Sequence, residues 1–392
     1  MSAPYRHHDK RTALILSGGG ASGAYEVGVM RALFSGRCPS NGFRKLEPGI
    51  LTGTSVGAVN ASFILSAPSS DLETAVRCLH RIYLRDIAAS PFGGKAGVLR
   101  IRANPLELAR PARWGHFARD VAKLSEDVAV KAWNTVVSER PIEERFVDLF
   151  DLRLLVSTHA LAKLVARYFN ARRIADSGRE LQIVATNWKD GTVRVFGSED
   201  LISGSGVEMV LASAALPGIF SQVEIGATPY ADGGIVMNSA LKPAIDAGAR
   251  EIHLVYVDPA VKEIPIDAEA GTVPVFARAL MIELAAALNN DIEAASRVNE
   301  GLAQIGHPQD SSEQARALVH TLGRMAQGRK AEYRPITIHR YRPDESTPGT
   351  IQWLDFSRER IARMIELGYL DTVRHDCSRQ GCVVAKADMG AN

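Results

Sequence analysis

Short unbroken apolar runs alternate along this chain with longer stretches whose apolar positions recur every three or four residues. Residues 12–16 (Thr-Ala-Leu-Ile-Leu) and 252–257 read as strands buried on both faces. Residues 50–52 (Ile-Leu-Thr) form another buried strand, broken by a sharp turn that leads straight into a helix. Strands are also expected at 181–186 and 192–196, joined through Asp190-Gly191, a strong hairpin signal, and late in the chain at 336–340. Helical spacing covers 71–87, 151–170, 207–215, 275–298, 310–327 and 357–367, the last closed by Gly368 in the usual glycine stop position. Strands alternating with helices, with one hairpin between, predict an α/β layered fold with a mostly parallel sheet. There is no internal repeat and no linker-like segment. We therefore expect one domain over residues 11–376 and a C-terminal tail over 377–392.

Composition narrows the class. At 392 residues, 46% apolar and 23% charged, the chain has ample core and a soluble balance. A formal net charge of +2 gives no case for nucleic acid as partner. The four cysteines (Cys38, Cys78, Cys377, Cys382) are scattered and suggest neither a disulfide framework nor a zinc site; Cys377 and Cys382 read as spare thiols. Residues 1–11 are polar and basic, without the apolar core of a secretory signal, and no run approaches the roughly 20 apolar residues of a membrane span. The expected location is cytoplasmic.

Two turns between strand and helix carry the candidate chemistry. After the first strand come Ser17-Gly18-Gly19-Gly20-Ala21-Ser22-Gly23, which would expose backbone N–H groups to an anion. Gly18, Gly20 and Gly23 fit G-x-G-x-x-G, the dinucleotide pattern. That pattern wants an acidic residue about 20 positions on, yet there is no Asp or Glu between Val27 and Lys45. An oxyanion-binding loop fits the three adjacent glycines better. The second turn, Gly53-Thr54-Ser55-Val56-Gly57, has the form G-x-S-x-G. So tight a turn strains the serine and lifts its hydroxyl above the sheet edge, at a helix N-terminus that favours negative charge.

A serine hydroxyl is a weak nucleophile and needs a base. His253 lies inside a strand pattern, and His307, His320, His339 and His375 have no recognisable catalytic surroundings. Asp232, followed by Gly233 and Gly234, stands out instead; a plain Asp-Gly turn is the competing explanation. Residues 95–123 mix Trp114 and Phe117 with seven basic and two acidic side chains. This stretch is read first as a solvated excursion and second as a lid meeting an anionic bilayer.

Taken in order, the motifs resemble those of the patatin-like phospholipase family. The glycine loop at 18–23, the elbow at 53–57 and the Asp232-Gly233-Gly234 turn match its G-G-G-x-x-G, G-x-S-x-G and D-G-[GA] motifs, and residues 212–220 look like its A-S-x-x-x-P-x-x-F segment. The resemblance covers residues 11–257 and loosely the closing elements. It implies a three-layer fold with helices on both faces of the sheet. It also implies a Ser–Asp dyad in which Ser55 attacks an ester carbonyl, Asp232 takes the proton, and the amides of Gly18, Gly19 and Gly20 hold the oxyanion, with Gly23, Gly53, Gly57, Gly233 and Gly234 shaping the turns. The implied substrate is a lipid ester; peripheral membrane contact is the expectation that the basic stretch 95–123 adds. No cofactor or metal is expected, because no metal-ligand cluster is visible. An esterase on small soluble esters and a non-catalytic lipid-binding protein are the alternatives. Two positions depart from the family: Ser22, where Lys or Arg is usual, and Asn238-Ser239-Ala240, where Asn-x-Pro is usual.

Overall fold

The structure is a computed structural model. It describes residues 11–88, 159–257 except 218, parts of 282–300, 335–343 and 355–385. The stretch 95–123, the helix expected at 310–327 and the first part, 151–158, of the helix expected at 151–170 lie outside the described residues, as do His307 and His320.

In chain order the elements are β1 (Thr12–Leu16), α1 (Gly23–Phe34), β2 (Ile50–Thr54), α2 (Val56–Leu65), α3 (Leu72–Ile82), α4 (His159–Tyr168), α5 (Ala171–Asp176), β3 (Glu180–Asn187), β4 (Val193–Phe196), α6 (Gly206–Ser213), β5 (Val223–Ile225), β6 (Thr228–Asp232), α7 (Leu241–Asp246), β7 (Glu251–Val255), β8 (Thr337–Tyr341), α8 (Arg358–Val373) and α9 (Cys377–Gln380). The strands form one sheet in the order β5-β6-β3-β2-β1-β7-β8, with β4 also on β3. β3, β2, β1, β7 and β8 run parallel, and the β4, β6 and β5 pairings are antiparallel. The mostly parallel sheet expected from the alternating pattern is present.

Side chains alternate across each strand, so β1 feeds two cores. Leu14 and Leu16 face the larger one, built with α1, α2, α3, α6 and α8. Ala13 and Ile15 face a second, closed by α7 and by Leu288, Ile292 and Ala295 of a helical stretch. Helices therefore cover both faces, as a near-continuous apolar β1 requires.

α8 does not stop at Gly368. It runs on to Val373, because Gly368 is a crossing point and not a terminus. A Cβ there would run into the Tyr25 carbonyl oxygen of α1, and one at Gly28 of α1 would run into the Ile365 carbonyl oxygen of α8. Two glycines thus let the helix backbones touch. Residues 377–385, expected to be a tail, contain α9 and an antiparallel bridge, Val383 to Ile338 on the edge strand β8.

Candidate active site

β1 and β2 are adjacent and parallel, so the turns that follow them sit side by side at one end of the sheet. The β2–α2 turn leaves Ser55 at φ 55°, ψ −122°, one of two non-glycine residues with positive φ among those described. Such a conformation costs on the order of 1–3 kcal/mol and persists only where its surroundings enforce it. The enforcement is visible. A Cβ at Gly53 would lie 2.5 Å from the Gly57 carbonyl oxygen and 2.6 Å from the Ala58 nitrogen, and one at Gly57 would run into the Leu16 carbonyl of β1. The strand, the turn and the helix are packed backbone to backbone.

Ser213, at the end of α6, fixes the elbow from below. The Ser55 N–H donates to Ser213 Oγ at 3.0 Å, and Ser213 Oγ donates to the Val184 carbonyl of β3 at 2.6 Å. Asp232 is keyed to the same strand. Its register partner is Ala185, its carbonyl accepts from Thr186 Oγ1 at 2.8 Å, and its N–H donates to the Ala215 carbonyl at 3.0 Å. A Cβ at Gly233 would run into the Val184 carbonyl, so the turn after β6 must be glycine. β3 therefore sets both Ser55 and Asp232 through groups on three consecutive residues, Val184 to Thr186.

The Asp232 carboxyl is buried, with 2% of its surface exposed. Burial pushes its pKa up from 3.8 to about 6, while hydrogen bonds from the Ser55 hydroxyl and the Gly234 N–H draw it back down. The Gly234 bond is 2.8 Å. Among the described residues no histidine bonds to Ser55 or Asp232; His253 instead meets the Tyr341 hydroxyl at 2.8 Å.

The glycine loop lies against the serine: a Cβ at Gly18 would be 3.1 Å from Ser55 Cβ. One of its amides is already taken. The Gly18 N–H donates to Asn238 Oδ1 at 2.9 Å, so of the three expected oxyanion donors Gly18 serves the loop's own anchorage. The amides of Gly19 and Gly20 donate to no other group among the described residues. Gly20 sits at φ 56°, which only glycine adopts readily. Behind the loop, Gly23 closes onto Val56, and Asn60 of α2 ties α1 to α2 by donating to Glu26 at 2.8 Å and to the Gly23 carbonyl at 3.1 Å. Asn238 and Ser213 belong to segments that the family pattern picked out. Their bonds reach across 220 and 158 residues, a distance at which spacing carries no signal.

The expectation of no metal-ligand cluster is overturned. His339, His375, Cys377 and Cys382 bring their ligand atoms within 4.8 Å of one another, and Glu251, His253 and His339 form a neighbouring group. The donors were missed because His339 is on β8, far in sequence from the pair of cysteines that the fold carries to it.

A family model described as patatin-like phospholipase matches residues 14–245, which include the glycine loop, the elbow and Asp232. Two solved structures are similar. VipD from Legionella pneumophila shares 12% identity over 93% of this chain and 67% of its own, with a TM-score of 0.31. The heterodimeric complex ExoU–SpcU from the type III secretion system of Pseudomonas aeruginosa shares 15% identity over 81% of this chain and 60% of that one, with a TM-score of 0.27. No curated protein matches the chain.

Proposed function

The chain belongs to the patatin-like phospholipase family, and from that premise we propose that it is a serine acyl hydrolase of lipid esters, of phospholipase A or lysophospholipase type. The observation that carries this reading is a buried carboxyl, Asp232, bonded by the hydroxyl of a serine held at φ 55° on a strand-to-helix elbow.

The geometry supports a dyad that works in two halves. Ser55 Oγ attacks the ester carbonyl carbon while its proton passes to the Asp232 carboxylate. The carbonyl oxygen takes the displaced electron pair and is held by the Gly19 and Gly20 amides. Collapse re-forms the carbonyl and breaks the bond to the alcohol, which leaves with the proton from Asp232. Water then repeats the attack on the acyl-Ser55 carbonyl, giving its proton to Asp232; the fatty acid departs and Ser55 recovers its hydrogen. The pKa of about 6 suits a base that must be ionised near neutral pH yet strong enough to share a serine proton.

The substrate is met at a lipid surface. No helix of the described residues is long and apolar enough to cross a membrane. The basic stretch 95–123, whose sequence includes Arg110, Arg113 and Arg119, is the proposed source of attraction to anionic headgroups. The test is turnover of a panel running from short soluble esters to phospholipid vesicles, with Ser55→Ala as control. Hydrolysis of phospholipid that vanishes in the variant supports the proposal. Hydrolysis of short esters alone would make it a small-ester esterase, and undiminished turnover by Ser55→Ala would remove Ser55 from the site.

A further inference from the structure

We propose that His339, His375, Cys377 and Cys382 form a tetrahedral zinc site that fastens the C-terminal segment to the open edge of the sheet. The site lies beyond the residues matched by the family model and is independent of the acyl hydrolase reading.

The donor set comes first. Two thiols and two imidazoles are the ligands of closed structural zinc centres. Their spacing then agrees. Cys377 Sγ stands 3.4 Å from His339 Nδ1 and 3.5 Å from His375 Nε2, and Cys382 Sγ stands 3.4 Å from His375 Nε2. Around a tetrahedral zinc, with bonds of about 2.3 Å to sulfur and 2.0–2.1 Å to nitrogen, a sulfur-to-nitrogen edge comes to about 3.5 Å. Three edges of the observed cluster thus already have the length a zinc ion would impose. Both imidazoles are more than nine-tenths buried. All four cysteines of the described residues are free, so Cys377 and Cys382 are not committed to a disulfide.

The local chain is shaped to present these atoms. Asp376 caps α9 by accepting from the Ser378 N–H at 2.8 Å, which sets Cys377 at the first position of the turn. Gly381, at φ 67°, reverses the chain, and the Cys382 N–H returns to the Cys377 carbonyl at 2.9 Å. The two cysteines therefore face one point. The Arg340 N–H donates to Cys382 Sγ at 3.2 Å, as backbone donors do to stabilise a metal-bound thiolate. Behind His339, an oxygen of Glu251 and ring nitrogens of His253 and His339 lie within 4.8 Å of one another. The carboxylate there pairs with His253, whose Nε2 lies 3.4 Å from Glu251 Oε1, and the His253 ring packs on the His339 ring with centroids 5.0 Å apart.

Four protein ligands leave no open coordination position, so the metal is structural. It has something to hold. β8 ends the sheet among the described residues, and the segment after α9 meets it through the bridge of Ile338 N–H to Val383 O at 2.7 Å and Val383 N–H to Ile338 O at 3.0 Å, and through Ala385 N–H to Thr337 Oγ1 at 3.2 Å. The metal would join that segment, the end of α8 and β8 at one point, and α8 in turn packs on α1, the helix that carries the glycine loop.

The test uses the full chain, purified under reducing, oxygen-free conditions. Elemental analysis by mass spectrometry should find about one zinc per chain, retained through dialysis. Cobalt(II) added to the stripped protein should give the visible spectrum of tetrahedral coordination with a thiolate-to-cobalt charge-transfer band. Cys377→Ser with Cys382→Ser should lose the zinc and the band. A strong chelator should lower the melting temperature of the parent chain but not of the cysteine variant. Failure of the loaded parent chain to retain zinc, a cobalt spectrum without thiolate charge transfer, a stoichiometric metal other than zinc, or a Cys377–Cys382 disulfide in the anaerobic protein would each overturn the proposal. The cobalt spectrum of the parent chain decides the matter even if the double variant does not fold.

Discussion

Ser213 stands directly beneath Ser55: one hydroxyl accepts the Ser55 N–H at 3.0 Å and donates to the β3 backbone at 2.6 Å. The bond holds a strained residue by its backbone and leaves the Ser55 hydroxyl free to meet Asp232. Ser213 is fully buried, so nothing in solvent can replace it. Ser213→Ala takes the partner from the half-buried Ser55 N–H and the donor from the buried Val184 carbonyl. It should lower stability by about 1–3 kcal/mol and should lower kcat more than it changes KM, because the substrate does not touch Ser213. Urea denaturation and steady-state kinetics check both. An unchanged kcat in a destabilised protein would reduce Ser213 to packing.

The strain at Ser55 can be isolated by comparing two inactive variants. Ser55→Ala and Ser55→Gly both lose the hydroxyl and its bond to Asp232; they differ only in a Cβ held at φ 55°, ψ −122°, a conformation that glycine adopts freely. Ser55→Gly should therefore be the more stable of the two by about 1–2 kcal/mol, read as the difference in denaturation midpoint at equal slope. Equal stability would show that the turn relaxes when the hydroxyl is gone. A fluorophosphonate should label the parent chain at Ser55 and neither variant.

The crossing of α1 and α8 gives a third expectation. Gly368→Ala places a Cβ 2.1 Å from the Tyr25 carbonyl oxygen and 3.0 Å from its carbonyl carbon, backbone atoms that cannot swing aside. The helices must move apart, at a cost of about 2 kcal/mol or more. Gly226 offers the contrast: its φ is 63° but a Cβ there meets nothing within 4 Å. Gly226→Ala should cost only about 1 kcal/mol, from backbone conformation alone. Paired thermal melts separate the two origins.

These cases mark what the sequence could and could not reveal. The strand at 12–16, the elbow at Ser55 and the Asp232-Gly233-Gly234 turn were legible because each is a local requirement: an apolar run, or glycines where backbones touch. The hairpin at Asp190-Gly191 was legible for the same reason, and β3 and β4 are antiparallel as that turn demands. Gly368 misled because a glycine at a helix end and a glycine at a helix crossing look alike in sequence; only the position of α1 tells them apart. Asn238 was visible as a motif residue, but its bond to Gly18 depends on where α7 and β1 meet. The His339, His375, Cys377 and Cys382 cluster was invisible for the same reason, since β8 contributes His339 and the chain from just after α8 to just after α9 contributes the rest.

The last expectation sets activity and stability against each other at Asp232. The carboxyl titrates near pH 6 in the folded protein against 3.8 for the ordinary group, chiefly because burial disfavours its charge. A raised carboxyl pKa means that between those values the folded state binds more protons than the unfolded one. The associated stability is thus full below about pH 4 and is lost as pH rises through about 6, a loss of about 3 kcal/mol. The base, however, must be ionised to take the Ser55 proton. kcat/KM should therefore rise with pH with an apparent pKa near 6 while the contribution of Asp232 to stability falls over the same window. Asp232→Asn keeps the shape but cannot ionise. It should be inactive, should lose this part of the pH dependence, and should be at least as stable as the parent chain at pH 7. Denaturation midpoints of the two proteins, taken from acid to neutral pH beside the pH–rate profile, test all three statements. A parent chain whose stability relative to Asp232→Asn rises toward neutral pH would mean that the carboxylate is stabilised in its charged form, and that a base with a depressed pKa, or a different base, serves Ser55.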